Sequence, residues 1–201
     1  MKLIVVDGLD GCGKDTHAEN IRRLLKAKGE DVTIISHPSQ RRLGRLSKRS
    51  LEGSGPIARL FATLFFTLDV LASVRWYKTQ EKGTVIFVRY LLGTAYLPPS
   101  LAPHGYMLFR KLLPFPDLAL FIDIEPDVAL RRIKSRGHTP EMFETKPRLE
   151  AVRRLARQLT KNEWILIDNS IDGEAPFRQV ETILRERNHG EEQLRTTSPV
   201  Q

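Results

Sequence analysis

Five short apolar runs alternate along the chain with longer segments in which apolar residues recur at helical spacing. The runs are rich in Val, Ile, Leu and Phe, which is typical of strands buried on both faces of a parallel sheet. The predicted strands are Leu3–Val6, Asp31–Ser36, Thr84–Val88, Leu118–Asp123 and Trp164–Ile167. This alternation of strands and helices predicts an α/β protein with three layers, α/β/α, around a five-stranded parallel sheet.

The segments between the strands predict helices at 14–28, 41–51, 56–82, 106–113, 126–135, 149–159 and 175–187. The helix at 56–82 is apolar on most sides over its first two thirds, so we expect it to lie in the centre of the domain. The segment 188–201 has almost no apolar residues. We therefore expect a domain at 1–187 followed by a disordered tail.

A glycine-rich stretch follows the first strand and opens the first helix. It reads Gly8-Leu9-Asp10-Gly11-Cys12-Gly13-Lys14-Asp15-Thr16, and its Gly-x-x-x-x-Gly-Lys core matches the phosphate-binding P-loop. Glycines let backbone N–H groups converge on one point, where the helix N-terminus adds the positive end of its dipole. Lys14 supplies an ammonium for the β- and γ-phosphates of a nucleoside triphosphate. The stretch from Gly8 to Thr16 therefore predicts an ATP site in a P-loop kinase fold.

The P-loop departs from its usual form at the position of the Mg²⁺ ligand. Ser or Thr normally follows the lysine, whereas this chain has Asp15, with Thr16 one residue later. A carboxylate also binds Mg²⁺, although it brings negative charge close to the phosphates. We expect Asp15 and Thr16 to be the metal-binding residues.

Composition limits the class of partner. The 201 residues carry a net charge of +8 and are 41% hydrophobic, which predicts a soluble domain with anionic ligands. The single cysteine, Cys12, excludes an intrachain disulfide and suits a reducing compartment. The first strand begins too early for a signal peptide, and the longest apolar run, Leu60–Val74, contains polar residues and is shorter than the roughly 20 residues that a bilayer needs. We expect a cytoplasmic protein with no membrane partner.

The predicted helix at 41–51 places cations around three leucines at helical spacing. The cations are Arg41, Arg42, Arg45, Lys48 and Arg49. The helix fits either a solvated basic surface or a phosphate or nucleic-acid surface. No recognised nucleic-acid motif accompanies it, so nucleic acid is not expected as a partner.

Four motifs, in order along the chain, resemble the thymidylate kinase family, and the similarity runs from Lys2 to about Leu184. They are Asp7–Lys14; Pro116–Asp123 followed by Pro126–Arg132; Phe143-Glu144 with Leu149 and Val152-Arg153; and Ile167-Asp168. The resemblance implies ATP- and Mg²⁺-dependent transfer of the γ-phosphoryl group to a nucleoside monophosphate, as in conversion of dTMP to dTDP. It also implies a homodimer, formed through the long apolar helix after Pro56.

The resemblance implies roles for residues of the acceptor site. Asp10 would contact the 3′-hydroxyl of the acceptor sugar, and Arg89 would grip the acceptor α-phosphate, which suits a bidentate guanidinium. Arg75 would lie beside the acceptor base. Tyr96 belongs to the same pocket, although its segment is one residue short of the family spacing, which displaces it from the family register.

A catalytic arginine comes in this family either from the P-loop or from the LID, here about 136–148. Gly11 occupies the P-loop position of that arginine. The resemblance therefore implies a LID donor, with Arg136 the first candidate and Arg132 the second.

Three departures from the family pattern affect the metal and the acceptor. Val88-Arg89-Tyr90 stands where the family has Asp-Arg-Tyr, which removes a carboxylate. We hypothesise that Asp15 supplies near Mg²⁺ the charge that Val88 lacks. Leu71 stands four residues before Arg75, where the family has an aromatic that stacks on the base, and Ser36-His37-Pro38 replaces Arg-Glu-Pro. The acceptor base is therefore left open.

Two other functions remain compatible with the P-loop. One is a kinase for a different phosphorylated or hydroxylated small molecule. The other is a nucleotide-binding protein that has lost transfer activity, as the changes at Val88 and Asp15 allow. Assay with ATP and a panel of monophosphates separates these possibilities.

Overall fold

The computed structural model describes residues 1–53, 55–135 and 145–196. It contains a five-stranded sheet in which every strand pair is parallel, with the order β2-β3-β1-β4-β5. The strands are β1, Lys2–Gly8; β2, Val32–Ser36; β3, Thr84–Val88; β4, Leu118–Asp123; and β5, Ile165–Asp168. The predicted α/β fold with a five-stranded parallel sheet is confirmed, with strand ends shifted by one or two residues.

Seven helices and one 3₁₀ helix occupy the described part of the chain. They are α1, Lys14–Lys26; α2, Arg42–Glu52; α3, Pro56–Tyr77; the 3₁₀ helix, Leu92–Tyr96; α4, Ala102–Leu112; α5, Pro126–Ser135; α6, Lys146–Thr160; and α7, Ala175–Thr196. The β1 to β2 and β4 to β5 connections run in opposite directions across the sheet. Because such connections are right-handed, their helices lie on opposite faces, which gives the three layers.

Two predicted helix ends are wrong. Helix α3 ends at Tyr77 rather than near Lys82, before a short loop that leads to Gly83 at φ +91°. Helix α7 passes the predicted end at Arg187 and continues to Thr196, within the expected disordered tail. Strong helix formers in this part, including Glu and Gln, extend a helix without needing an apolar face. Residues 197–201 lie outside the described part of the chain.

Helix α3 is not in the centre of the domain, contrary to the prediction. One side packs on the sheet through Val70 and Val74, whereas an apolar stripe on the other side is exposed. The segment Leu60–Tyr77 is long and apolar enough to cross a membrane by length and composition, and 28% of it is buried. When a helix is apolar on all sides, its sequence shows no hydrophobic periodicity. The pattern therefore does not distinguish a helix in the core from one whose apolar surface is exposed. We call the exposed residues the α3 stripe: Ile57, Leu60, Phe61, Leu64, Leu68 and Leu71.

The strand order brings three loops together at the carboxyl edge of the sheet. Strand β1 lies between β3 and β4, with Val6 opposite both Val88 and Leu120. The P-loop after β1 is therefore flanked by the segments that follow β3 and β4. In open parallel sheets, this edge is where ligands bind.

Candidate active site

The P-loop takes a conformation that only glycine adopts easily. Gly13 precedes α1 with φ +87°, and Gly11 has φ +80°. A Cβ atom at Gly11 would lie 2.7 Å from the carbonyl oxygen of Ala129, and one at Gly13 would lie 2.8 Å from Nδ2 of Asn169. Both the backbone angle and the space therefore require glycine at these positions.

Lys14 is buried at the start of α1, with 2% of its surface exposed. Its Nζ donates a hydrogen bond to the Leu9 carbonyl at 2.9 Å and lies 3.5 Å from Oδ1 of Asp10. The ammonium is thus held over the loop, where it and the helix dipole both favour an anion.

Asn169 supports the loop from the end of β5. Its Nδ2 donates to the Cys12 carbonyl at 2.7 Å, and the residue is 7% exposed. This residue is not among those predicted from the sequence. The signal that could have found it is a polar residue just after a predicted strand, at the edge where ligands bind.

Asp10, Arg89 and Tyr96 form one hydrogen-bonded cluster, although they lie far apart in sequence. The Arg89 guanidinium donates to Oδ1 of Asp10, and the Tyr96 hydroxyl donates to Oδ2 at 2.9 Å. Burial raises the pKa of Asp10, but the charges of Arg89 and Lys14 outweigh it and hold that pKa well below its usual range. The carboxylate is therefore ionised. Burial, and then the Asp10 charge, raise the pKa of Tyr96, which keeps the hydroxyl protonated as a donor.

Arg89 has an unusual backbone conformation, with φ +58° in the left-handed region. For a residue other than glycine this costs about 1–2 kcal/mol. Asp7 holds the segment in place, since its Oδ2 accepts hydrogen bonds from the backbone N–H groups of Tyr90 at 2.8 Å and Leu92 at 3.0 Å. Asp7 is 2% exposed, and burial raises its pKa against the opposing effect of these N–H groups. Its anchoring role was not predicted.

Asp15 and Thr16, the predicted metal-binding residues, are exposed on the first turn of α1. Oδ1 of Asp15 accepts a hydrogen bond from Oγ of Ser36 at 3.3 Å. Ser36 pairs in register with Val88 across β2 and β3, and Val88 is fully buried. The Asp15 carboxylate thus lies beside the strand end at which the family aspartate is missing.

An Mg²⁺ ion fits these residues. Among the described residues there is no group of three or more His, Cys, Asp or Glu side chains that could hold a metal ion. Mg²⁺ bound to nucleotides commonly takes one or two protein oxygens, with phosphates and water completing its shell. An exposed carboxylate and a neighbouring hydroxyl beside a P-loop suit that pattern.

The structure does not place Arg75 in the acceptor pocket. Its side chain is exposed on α3, four residues beyond Leu71 and on the same side as the α3 stripe. On another side of α3 is Phe66, whose ring centroid is 6.2 Å from that of His37 and whose Cε1 would lie 2.7 Å from a Cβ atom added at Gly93. Four residues later comes Val70, which is 3% exposed. Phe66 and Val70 therefore have the same four-residue spacing as Leu71 and Arg75, five residues earlier, and lie on the side of α3 that packs against the core.

The LID lies largely outside the described residues. Arg136, the first catalytic candidate, falls in the undescribed segment 136–144. Arg132, the second, lies at the end of α5, and its Nη2 contacts Oδ1 of Asp172 at 2.6 Å. Lys146 at the start of α6 pairs with Asp127. The identity of the LID donor stays a prediction.

At the carboxyl edge of the parallel sheet, the P-loop residue Lys14 lies next to the cluster of Asp10, Arg89 and Tyr96. A family model described as thymidylate kinase matches residues 6–182. The chain belongs to the thymidylate kinase family. The resemblance seen in the motifs is confirmed.

Relatives within the thymidylate kinase family cover nearly the whole chain. A probable thymidylate kinase of Archaeoglobus fulgidus is 30% identical over 173 residues, covering 84% of this chain and 87% of that protein. The thymidylate kinase of Xanthomonas euvesicatoria pv. vesicatoria is 28% identical over 190 residues, covering 90% and 82%. That of Leptospira borgpetersenii is 27% identical over 175 residues, covering 82% and 84%.

A solved thymidylate kinase from Candida albicans has the same fold. It superimposes with a TM-score of 0.72 at 20% identity, covering 94% of this chain and 93% of that structure. Family and fold together make this protein a nucleoside monophosphate kinase of the thymidylate kinase type, a family that uses ATP as co-substrate.

Proposed function

We propose that this thymidylate kinase family member transfers the γ-phosphoryl group of ATP to dTMP or a closely related nucleoside monophosphate, and that catalysis is intact. The observation that carries the proposal is the contact of Asp10 with both Lys14 and Arg89. One carboxylate thus links a cation suited to the donor phosphates with a cation suited to the acceptor phosphate. Phosphoryl transfer depends mainly on such positioning and charge neutralisation.

The donor side consists of the P-loop, Gly8 to Thr16. Its backbone N–H groups and the N-terminus of α1 would bind the β- and γ-phosphates of ATP. Lys14 would neutralise charge on the transferred group. Arg136 of the LID would add a second cation.

The acceptor side consists of the Asp10, Arg89 and Tyr96 cluster with Phe66 beside it. The ionised Asp10 would accept a hydrogen bond from the sugar 3′-hydroxyl, and Arg89 would bind the phosphate with two parallel hydrogen bonds. Phe66 would stack on the base, which contributes about 1–3 kcal/mol by analogy with stacked bases in other proteins.

The proposed selectivity for the acceptor base depends on Val70. Where the family has an arginine beside the base, this chain has an apolar side chain. A site with no hydrogen-bonding partner discriminates weakly between similar bases. We therefore propose that dTMP is accepted together with other pyrimidine monophosphates. The Candida albicans enzyme, for comparison, is described as having broad substrate specificity.

The test is a coupled assay with ATP, Mg²⁺ and a panel of monophosphates that differ in base and in the sugar 2′-position. We expect turnover with dTMP and with at least one other pyrimidine, and strongly reduced turnover with the Lys14→Met variant. Activity on a non-nucleotide acceptor alone would favour the alternative kinase. ATP binding without turnover on any acceptor would favour the regulatory nucleotide-binding protein.

For the metal, we propose that Asp15 and Thr16 hold Mg²⁺ next to the donor phosphates. The carboxylate replaces the serine or threonine hydroxyl of the usual P-loop and the strand aspartate lost at Val88. Support comes from the position of Asp15 beside Ser36, the register partner of Val88. Held by these residues, Mg²⁺ would neutralise negative charge on the donor phosphates.

Replacing Asp15 by asparagine is expected to raise the Mg²⁺ concentration for half-maximal turnover about 10-fold, because the amide carries no charge. In calorimetry, the Mg²⁺-dependent gain in ATP affinity should shrink, while affinity for ATP in EDTA should be equal or higher. The matched control is Glu19→Gln, a partly exposed carboxylate one helical turn further along α1 that pairs with Arg22. Equal Mg²⁺ dependence in the two variants would contradict the assignment.

For quaternary structure, we propose a homodimer in which the α3 stripes of two subunits pack together. The stripe includes Ile57 at 71% exposure, Leu60 at 67% and Leu64 at 47%. Monomeric proteins rarely expose so many large apolar side chains on one helix face. A two-fold axis lets the same patch cover itself, as in most homodimers.

The double substitution Leu64→Asp and Leu68→Asp is expected to convert dimers to monomers in analytical ultracentrifugation, because it would bury carboxylates within an apolar interface. The control is Ile171→Asp, which removes an apolar residue that is even more exposed, at 80%, from the loop after β5. A wild-type monomer at micromolar concentration would contradict the dimer. Binding of the wild type to lipid vesicles would indicate a membrane surface instead.

Location in the cytoplasm stays a prediction. The buried free thiol of Cys12 is compatible with a reducing compartment.

A further inference from the structure

A hydrogen-bonded chain of side chains connects the start of α2 with the backbone of Arg89. We call it the His37 network: Ser39, Arg41, Asp69, Ser73 and His37. At its outer end Asp69, which is fully buried, accepts from the backbone N–H of Ser39 at 2.6 Å and from the Arg41 guanidinium at 3.0 Å. The Arg41 guanidinium also donates to Oγ of Ser73. Arg41 is therefore held by an ion pair and hydrogen bonds to α3, although 42% of its side chain is exposed.

His37 forms the inner end of the network and is fully buried after β2. Its Nε2 lies 2.7 Å from Oγ of Ser73. Its Nδ1 lies 2.9 Å from the Arg89 carbonyl and 3.3 Å from the Val88 carbonyl. The rings of Phe66 and Phe87 pack edge-on against the imidazole at centroid distances of 6.2 and 5.5 Å.

The partners of His37 determine where its proton lies. A carbonyl oxygen can only accept, so Nδ1 must carry the hydrogen that is directed at the Arg89 carbonyl. In the neutral ring Nε2 then accepts from the Ser73 hydroxyl, whose oxygen in turn accepts from Arg41. Burial, with a smaller contribution from the Arg41 charge, lowers the pKa of His37 despite the opposing effect of Asp69. The neutral imidazole is thus the form present at neutral pH.

The carbonyl that His37 holds belongs to the residue with the unusual backbone. Arg89 has φ +58°, and its guanidinium reaches Asp10. A hydrogen bond to that carbonyl fixes the orientation of the peptide that follows Arg89. Asp7 fixes the other side of the same turn through the N–H groups of Tyr90 and Leu92.

We propose that His37 is a positioning residue for Arg89: its Nδ1–H holds the Arg89 carbonyl, and the rest of the His37 network holds the imidazole. The guanidinium is thereby directed at the acceptor phosphate. This inference rests on the proposed role of Arg89 as the acceptor-phosphate ligand. His37 touches neither substrate and acts through the Arg89 backbone.

Two amide substitutions of similar size test the roles of the two imidazole nitrogen atoms separately. In His37→Asn the amide nitrogen replaces Nδ1 and still reaches the Arg89 carbonyl, whereas in His37→Gln the amide replaces Nε2 and reaches Ser73. We expect His37→Gln to lower kcat/KM for the acceptor about 10- to 100-fold, with KM for ATP unchanged, because a small displacement of a positioning cation has effects of this size. We expect His37→Asn to stay close to the wild type. Thermal melting of both variants measures any loss of stability.

NMR provides a readout that does not depend on turnover. The Nε–H group of Arg89 is expected to be ordered by nitrogen relaxation in the wild type and in His37→Asn, and mobile in His37→Gln. Equal acceptor kinetics and equal Arg89 order in the two variants would overturn the proposal, as would a wild-type imidazole that carries its proton on Nε2. A wild-type protein with ordered Arg89 but no turnover on any monophosphate would instead contradict the proposed function.

Discussion

Replacing Lys14 by methionine is expected to lower kcat for phosphoryl transfer by about 10²- to 10³-fold, the effect of removing one preorganised charge-stabilising group. Lys14 is the buried cation of the P-loop, held by the Leu9 carbonyl and Asp10. Methionine retains the length and apolar character of the stem, so the loop loses its charge but little of its packing. The measurement is steady-state kinetics with ATP and dTMP.

The control for Lys14 is Lys26→Met, which removes an exposed lysine from the last turn of the same helix. Its kcat should equal that of the wild type. Thermal melting should show Lys14→Met folded, because Asp10 keeps its ion pair with Arg89. A folded Lys14→Met enzyme with wild-type kcat would contradict the assignment of the P-loop as the donor site.

Replacing Arg89 by lysine is expected to lower kcat/KM for the acceptor by about 10²-fold, with KM for ATP unchanged. Lysine keeps the charge but cannot make two parallel hydrogen bonds to a phosphate. The planar guanidinium of Arg89 can also donate to Asp10 and to the acceptor phosphate at the same time. A lysine ammonium has no such planar arrangement of donors. The loss should therefore appear in the acceptor step and not in ATP binding.

Arg110→Lys serves as the control for Arg89→Lys. Arg110 pairs with Glu163 at 2.6 Å and lies over the ring of Phe115, away from the P-loop. This substitution should leave both KM values unchanged. If Arg89→Lys raised KM for ATP and spared the acceptor, Arg89 would belong to the donor site.

The sheet and the P-loop were predictable because their signals are local. Buried parallel strands have continuous apolar runs, and β3 and β4 were predicted with the bounds that the structure gives. The P-loop sequence requires glycine at defined positions because of its backbone angles, as Gly11 and Gly13 illustrate. Such requirements are visible in a single sequence.

The register of α3 was not predictable in the same way. Its apolar residues surround the helix, so no polar face fixes which residues point toward the site. Leu71 and Arg75 keep the family arginine without the aromatic, whereas Phe66 and Val70 keep the aromatic without the arginine. The structure places the second pair on the side of α3 that packs against the core. For the same reason, the periodicity of the sequence does not reveal that the α3 stripe is exposed.

The supporting residues of the site depend on contacts between distant segments. Asp7, His37 and Asn169 each stand within or directly after a strand, which marks them as candidates. Their partners, however, are backbone groups or side chains brought close by the order of strands. His37 reaches Arg89 because β2 lies next to β3. Sequence spacing alone contains no such information.

Two sides of helix α3 have different surroundings. Asp69 and Ser73 belong to the His37 network, while the α3 stripe is exposed and forms the interface of the proposed homodimer. Separation of the subunits would expose the outer side and loosen the helix that supports the Arg89 turn. Specific activity at low acceptor concentration would then decline on dilution of the enzyme, while nucleotide binding at the P-loop would persist.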